Sequence, residues 1–95
     1  MAAYILVDMT IHDKDGYSTY PPLVWPIIEK HGGKVTHRIS DFETVEGGWL
    51  PKRVVIIEFP NREAAAAFIN DPDYVPVKDI RLKTAESAMV LGSAE

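Results

Sequence analysis

Two rhythms of apolar and polar positions take turns along this chain: a period of two in some stretches, and recurrence every three to four residues in others. Between Tyr4 and Ile11, Ile5, Val7, Met9 and Ile11 fall on one side and Tyr4, Leu6, Asp8 and Thr10 on the other, which predicts a half-buried strand. Tyr17, Tyr20, Val24, Ile27, Ile28 and His31 follow at helical spacing behind Asp13, a residue suited to capping a helix start. Pro21, Pro22 and Pro26 each lack an amide donor and crowd the preceding turn, so a kink or break is expected near 20–26. Gly32-Gly33 ends the helix, because a left-handed cap suits glycine.

A second strand is predicted from Lys34 to Phe42, with Val35, His37 and Ile39 on one side and Thr36, Arg38 and Ser40 on the other. Residues 43–51 form a connection around Gly47-Gly48, with Trp49 and Pro51 beside it. Arg53 to Phe59 is the strongest strand signal, since Val54 to Ile57 are all β-branched, as suits a central strand covered on both faces. Pro60 stops it, Asn61 caps the next helix, and Glu63 sits where the helix dipole favours an anion. That helix covers Arg62 to Asn70, with Ala65, Phe68 and Ile69 inward. Asp71-Pro72-Asp73 restarts a helical piece on which Tyr74, Val77, Ile80 and Arg81 share a side. A last strand is predicted over Ser87–Leu91, with Gly92 to Glu95 as a loose tail.

The order β-α-β-β-α-β predicts an α+β, ferredoxin-like fold: a four-stranded antiparallel sheet with the helices on one face and the first and third strands at its centre. The other sheet face is left bare, and a second copy of the chain is the natural cover, so a homodimer is expected.

Length and composition narrow the partners. Ninety-five residues predict one domain, 1–95. A net charge of −4 without a basic stripe argues against nucleic acid. No apolar run reaches bilayer length and no leader pattern is seen, so no membrane partner and a cytoplasmic location are expected. Cysteine is absent, which removes disulfides, thiol nucleophiles and thiolate metal sites. His12, His31 and His37 share no metal-ligand spacing, so no metal is expected. Neither glycine pair completes a phosphate-binding loop and no Gly-x-Ser-x-Gly elbow occurs, so neither a nucleotide cofactor nor serine hydrolase chemistry has support.

Strand alternation points to a polar cluster. If Ile5, Val7 and Met9 face the helices, then Asp8 faces away; Glu58 does the same in the third strand, and Arg38 in the second if Val35 and Ile39 face the helices. Burying ions costs several kcal/mol each, so such a cluster implies pairing, water or a ligand. Glu58 or Asp8 would act as general base, and Arg38 would bind an anionic group or developing negative charge. The competing reading is a structural ion-pair network that sets register or holds the dimer. Tyr17, Arg81, His37 and Trp49 are the further candidates for ligand contact. Their plainer roles are helix packing for Tyr17, a surface ion pair for Arg81, a satisfied histidine for His37 and a partner contact for Trp49.

Asp13-Lys-Asp-Gly-Tyr17, His31-Gly-Gly33, Glu46-Gly-Gly-Trp49, Pro51-Lys-Arg-Val54, Glu58-Phe-Pro60, Glu63-Ala-Ala65 and Asp71-Pro-Asp-Tyr74 occur in an order that spans nearly the whole chain. In these segments the sequence resembles the domain-of-unknown-function family 1330 of the dimeric α/β-barrel superfamily. It departs in having Phe68-Ile69 where a tryptophan-containing stretch is common, and Asp71 where serine is frequent. The resemblance implies the ferredoxin-like fold and pairing into a dimeric α/β barrel, but no catalytic residues. Its superfamily includes cofactor-free monooxygenases, haem-handling enzymes, lactone isomerases and amino-acid-sensing domains, so function does not follow from the fold. The expectation is a homodimeric small-molecule-binding protein, with cofactor-free acid–base catalysis in view. The alternative is a non-catalytic ligand-binding or accessory module whose polar cluster lies at the dimer interface.

Overall fold

The computed structural model describes residues 1–95. Four strands, β1 (Ala3–Ile11), β2 (Lys34–Ser40), β3 (Arg53–Phe59) and β4 (Ala85–Ser93), form one antiparallel sheet in the order β2-β3-β1-β4. The helices are α1 (Lys14–Tyr17), α2 (Tyr20–Lys30), α3 (Arg62–Ile69) and α4 (Tyr74–Thr84). The ferredoxin-like α+β prediction holds, with β1 and β3 central.

Alternation drives the layering. Ala3, Ile5, Val7 and Met9 of β1 are buried, as are Val55, Ile57 and Phe59 of β3. They join Val24, Ile27 and Ile28 of α2, Ala65 and Phe68 of α3, and Tyr74 of α4 in one core. Phe68 is the hub: its ring lies 5.6 Å from that of Phe59 and 4.5 Å from that of Tyr74. The opposite sheet face carries Leu6, Ile56, Ile39 and Val90, the last two exposed.

Several boundaries move from where the pattern placed them. The first helix breaks at Ser18-Thr19, not at the prolines; Pro21 sits in the first turn of α2, where its missing donor costs nothing, and Pro26 is tolerated inside the helix. Strand β4 begins two residues earlier and runs on to Ser93, and Ala94 donates its amide to Ala2 O at 2.8 Å, so most of the expected tail is sheet. Strand β2 ends at Ser40.

The largest departure is inside β2. Val35 pairs with Ile57 but His37 pairs with Ile56, so Thr36 is an extra residue and the strand bulges there. The bulge reverses the faces beyond it. Arg38, opposite Val55, turns toward the helices, and His37 and Ile39 turn away.

Asp71 is buried, and the residue at the N-cap of α4 is Asp73. The Asp71 carboxylate accepts from His31 Nε2 at 2.7 Å, from Lys30 Nζ at 2.9 Å and from the Asp73 amide at 2.9 Å. The His31 and Lys30 contacts, with the Asp73 amide, hold the Asp71 carboxyl well below the usual carboxylate range. They tie the end of α2 to the turn before α4. No helix is long and apolar enough to cross a membrane.

Candidate functional site

The helices do not close fully onto the sheet. A cavity of about 190 Å³ remains between them. Its floor is Val7, Met9, Val55 and Ile57, and α2 supplies Val24, Trp25 and Ile28 above it. Thirteen of the seventeen lining residues are hydrophobic, so the charged ones stand out: Arg38, Arg53 and Arg81, with no carboxylate among the lining groups.

Each arginine arrives by a different route. The Thr36 bulge aims Arg38 inward, where its guanidinium lies 5.5 Å from the centre of the Trp25 ring. Arg53 opens β3 on the same face as Val55 and Ile57, paired with Met9. Arg81 rides on the inner side of α4 and is only 4% exposed. It donates to Ser87 Oγ and lies beside the hydroxyls of Tyr20 and Tyr74, which are 3.4 Å apart. The ion pairs of the chain use Lys30, His31, Lys34 and Lys83, and none of these three arginines. The Nε atoms of Arg53 and Arg81 are buried without a hydrogen-bond partner. Such orphaned donors are uncommon in folded proteins, and at a cavity wall they offer themselves to a ligand.

Tyrosine hydroxyls complete the polar part. Burial pushes the Tyr17 hydroxyl above its ordinary pKa, against the opposing pull of Arg53, Arg81 and Arg38. Burial, then the neighbouring Tyr74, pushes Tyr20 strongly upward. Both therefore stay protonated at neutral pH and can donate a hydrogen bond inward. A shallower depression of about 280 Å³ adjoins the cavity, shares Trp25 and Arg38 with it, and adds Glu29 and Lys34. Trp25 and Arg38 thus stand where the two spaces meet.

The expected cluster of Asp8, Arg38 and Glu58 does not form within the subunit. Asp8 and Glu58 do share the bare face, but they pair with Val54 and Tyr4, four positions apart along β1 and β3, or roughly 13 Å. Asp8 accepts from Trp49 Nε1 at 3.0 Å, and Glu58 accepts from the Tyr4 hydroxyl at 3.1 Å with Lys34 Nζ at 3.8 Å. The Tyr4 hydroxyl is raised by that hydrogen bond to Glu58. Arg38 lies on the other side of the sheet. His37 is exposed, contacts Thr36 Oγ1 at 3.1 Å, and also misses the cavity. Trp49 is 62% exposed and reaches Asp8 rather than the cavity mouth.

Of the residues singled out in sequence, Tyr17, Arg38 and Arg81 meet at one cavity. Tyr20, on the same helical pattern as Tyr17, joins them, and nothing in the pattern assigned Arg53, Tyr74 or Trp25 there. Arg53 carried a signal, because it shares the strand phase of Val55, Ile57 and Phe59, so a charge sits in an inward register. No three His, Cys, Asp or Glu side chains stand close enough together to hold a metal ion.

This arrangement defines a ferredoxin-like α+β protein with an apolar, arginine-lined cavity between sheet and helices. The chain belongs to the family described as Domain of unknown function (DUF1330), whose model matches residues 2–93. A protein of unknown function from Rhodopseudomonas palustris has a similar structure at 20% identity, with 99% of this chain and 82% of that one covered and a TM-score of 0.80. SnoaB, a cofactor-independent oxygenase from Streptomyces nogalater, is similar at 13% identity over 99% of this chain and 93% of its own, with a TM-score of 0.72. A dimeric protein of unknown function and ferredoxin-like fold from Bacteroides fragilis is similar at 14% identity over 98% and 96%, with a TM-score of 0.56. Among curated proteins none matches in sequence.

Proposed function

We propose that this protein is a homodimer in which each subunit takes up one small organic molecule in the cavity beneath α2 and α4. The observation that carries the reading is the pair of buried arginine Nε atoms without partners at the wall of an otherwise apolar space. A pocket with an apolar lining and a few convergent polar groups is what a ligand site requires.

The same geometry favours binding over base catalysis. No carboxylate or imidazole lines the cavity, and Tyr17 and Tyr20 are held protonated. They can orient a ligand or donate a proton to it, but a general base would have to come with the substrate. Glu58 and Asp8 take instead the structural role, as polar contacts on the face that the second subunit covers. The exposed Ile39 and Val90 support that assignment of the bare face, as does the dimeric neighbour from Bacteroides fragilis.

Methyl NMR during a small-fragment screen tests the cavity. Val7, Val24, Val55 and Met89 methyls should shift together, while Leu6, Ile39 and Val90 stay still. Shifts confined to the second group would overturn the reading. Sedimentation equilibrium at micromolar concentration tests the dimer, and a monomer there would remove that half of the proposal.

A further inference from the structure

We infer that the ligand of this cavity is an organic anion: a carboxylate carried on a single aromatic ring or a short hydrocarbon body. This inference rests on the cavity being a ligand site, and it adds the ligand's charge and size.

The charge follows from the lining. Guanidinium groups remain protonated throughout the range in which proteins are stable. Arg38, Arg53 and Arg81 therefore place three positive charges around one small space that contains no negative one. This happens in a chain whose net charge is −4, with fourteen acidic residues available for pairing. Arg81 is the sharpest case, because it is 4% exposed and its neighbours are the hydroxyls of Ser87, Tyr20 and Tyr74, with no carboxylate among them. A buried charge without a counter-charge is unfavourable, and a bound anion would relieve it. The free Nε of Arg53 and of Arg81 can each donate edge-on, the way a guanidinium meets the two oxygens of a carboxylate.

The body follows from volume and polarity. About 190 Å³ exceeds the roughly 150 Å³ of an engineered cavity that accepts benzene, leaving room for one ring plus a carboxylate. Val7, Val24, Val55, Ile57 and Met89 would contact carbon, and a free inorganic anion would leave them uncovered. Trp25 beneath Arg38, at the junction with the outer depression, puts an aromatic face and a positive charge where the two spaces meet.

The test is isothermal titration of the full chain with benzoate, benzyl alcohol and inorganic phosphate, repeated for Arg53→Met and Arg81→Met. Benzoate should bind once per subunit. Benzyl alcohol and phosphate should each bind at least about tenfold more weakly, the factor expected when a charge-assisted hydrogen bond or the apolar contact is lost. Each variant should weaken benzoate about tenfold or more and leave benzyl alcohol within about threefold, on the same basis. Arg53→Lys should recover part of the benzoate affinity, and it carries the test by itself if Arg81→Met does not fold. Equal binding of benzoate and benzyl alcohol would overturn the anion inference and leave the cavity a ligand site. Phosphate binding as tightly as benzoate would overturn the hydrocarbon body. Absence of all three, together with silent cavity methyls, would overturn the inference and the underlying site together.

Discussion

Replacing Gly33 by alanine adds one methyl group between Ile28 of α2 and Phe59 of the sheet. A Cβ there would lie 2.5 Å from Phe59 Cε1, 2.8 Å from Phe59 Cζ and 2.8 Å from Ile28 Cγ2. Carbon atoms prefer about 3.5–4.0 Å, so the new methyl intrudes by roughly 1 Å on each neighbour. Neither can retreat easily. Phe59 has no exposed surface and is stacked on Phe68, and Ile28 is 3% exposed. Overpacking of this kind destabilises by about 1–3 kcal/mol. In a domain of this length that lowers Tm by about 4–8 °C per kcal/mol. The backbone of Gly33 is ordinary, so any loss reports the clash and not conformational strain.

Urea unfolding measures it, with two glycines as internal references. Gly48 has no neighbour within 4 Å and ordinary φ, so Gly48→Ala should stay within about 0.5 kcal/mol of the parent. Gly47 is equally open but has φ of +83°, so Gly47→Ala should show conformational strain alone, about 1 kcal/mol. Phe59→Leu then closes a double-mutant cycle with Gly33→Ala. Because the smaller side chain makes room, the pair should be less destabilising than the sum of the singles, by about 0.5–3 kcal/mol. If Gly33→Ala behaves like Gly48→Ala, or if the pair is strictly additive, the packing argument fails. With it would go the reason why β2 can run close enough beneath α2 to bring Val35 and Arg38 to the cavity.

Three further outcomes follow from other parts of the molecule. The Asp71 carboxyl is held below its unfolded value, so its contribution is fully present above about pH 4 and is lost as pH falls toward the depressed value. Asp71→Asn should therefore lower Tm by several degrees at pH 7, with the gap to the parent narrowing in calorimetry below about pH 4; a constant gap would refute the latch. Deleting Thr36 should be tolerated, because the extra residue is the bulge itself and the remaining ladder keeps Arg38 opposite Val55. The loss should be about 1 kcal/mol, one hydrogen bond from Thr36 Oγ1 to Ile56 O, while deleting Ile56 from unbulged β3 should abolish folding by circular dichroism. Val90→Lys, at a position 62% exposed on the bare face and paired with Leu6, should yield a folded monomer in sedimentation; an unchanged dimer would place the interface elsewhere.

Regular periodicity was legible in the sequence. β1 alternates without interruption, β3 is a continuous β-branched run, and the helix-facing residues of both follow from strand phase: Ile5, Val7, Met9, Val55, Ile57 and Phe59. Where one residue breaks the rhythm, the reading inverts. Thr36 carries no glycine or other mark of a bulge, and missing it sent Arg38 to the wrong face and left His37 on the inner one. Asp71 was opaque for another reason. An aspartate before Pro72 has the composition of an exposed cap, and its partners Lys30 and His31 lie about forty residues away, so its burial depends on how α2 and the start of α4 meet. Arg81 shares a side of its helix with Tyr74 and Val77 by spacing alone, yet an arginine at such a position reads as a surface pair until that side is seen to pack inward.

The strand carboxylates Asp8 and Glu58 and the cavity arginines lie on opposite sides of the sheet, and that division bears on what the cavity can do. The carboxylates of β1 and β3, Asp8 and Glu58, face away from the helices, each holding a donor of its own: Trp49 for Asp8, Tyr4 and Lys34 for Glu58. The arginines of β2, β3 and α4 line the cavity on the other side, where no acid lines it with them and none forms an ion pair with them. A salt-bridged interior would have placed the two sets on one side, where mutual attraction would quench the field. Separated by a β-sheet whose own dipole is small, the inward charges are left to act on whatever enters. A cavity organised in this way stabilises negative charge, whether it arrives with the ligand or develops on it. On the proposed reading, binding of an anion and stabilisation of an enolate or phenolate formed by a substrate's own basic group would be one electrostatic function, separated only by whether the bound molecule reacts.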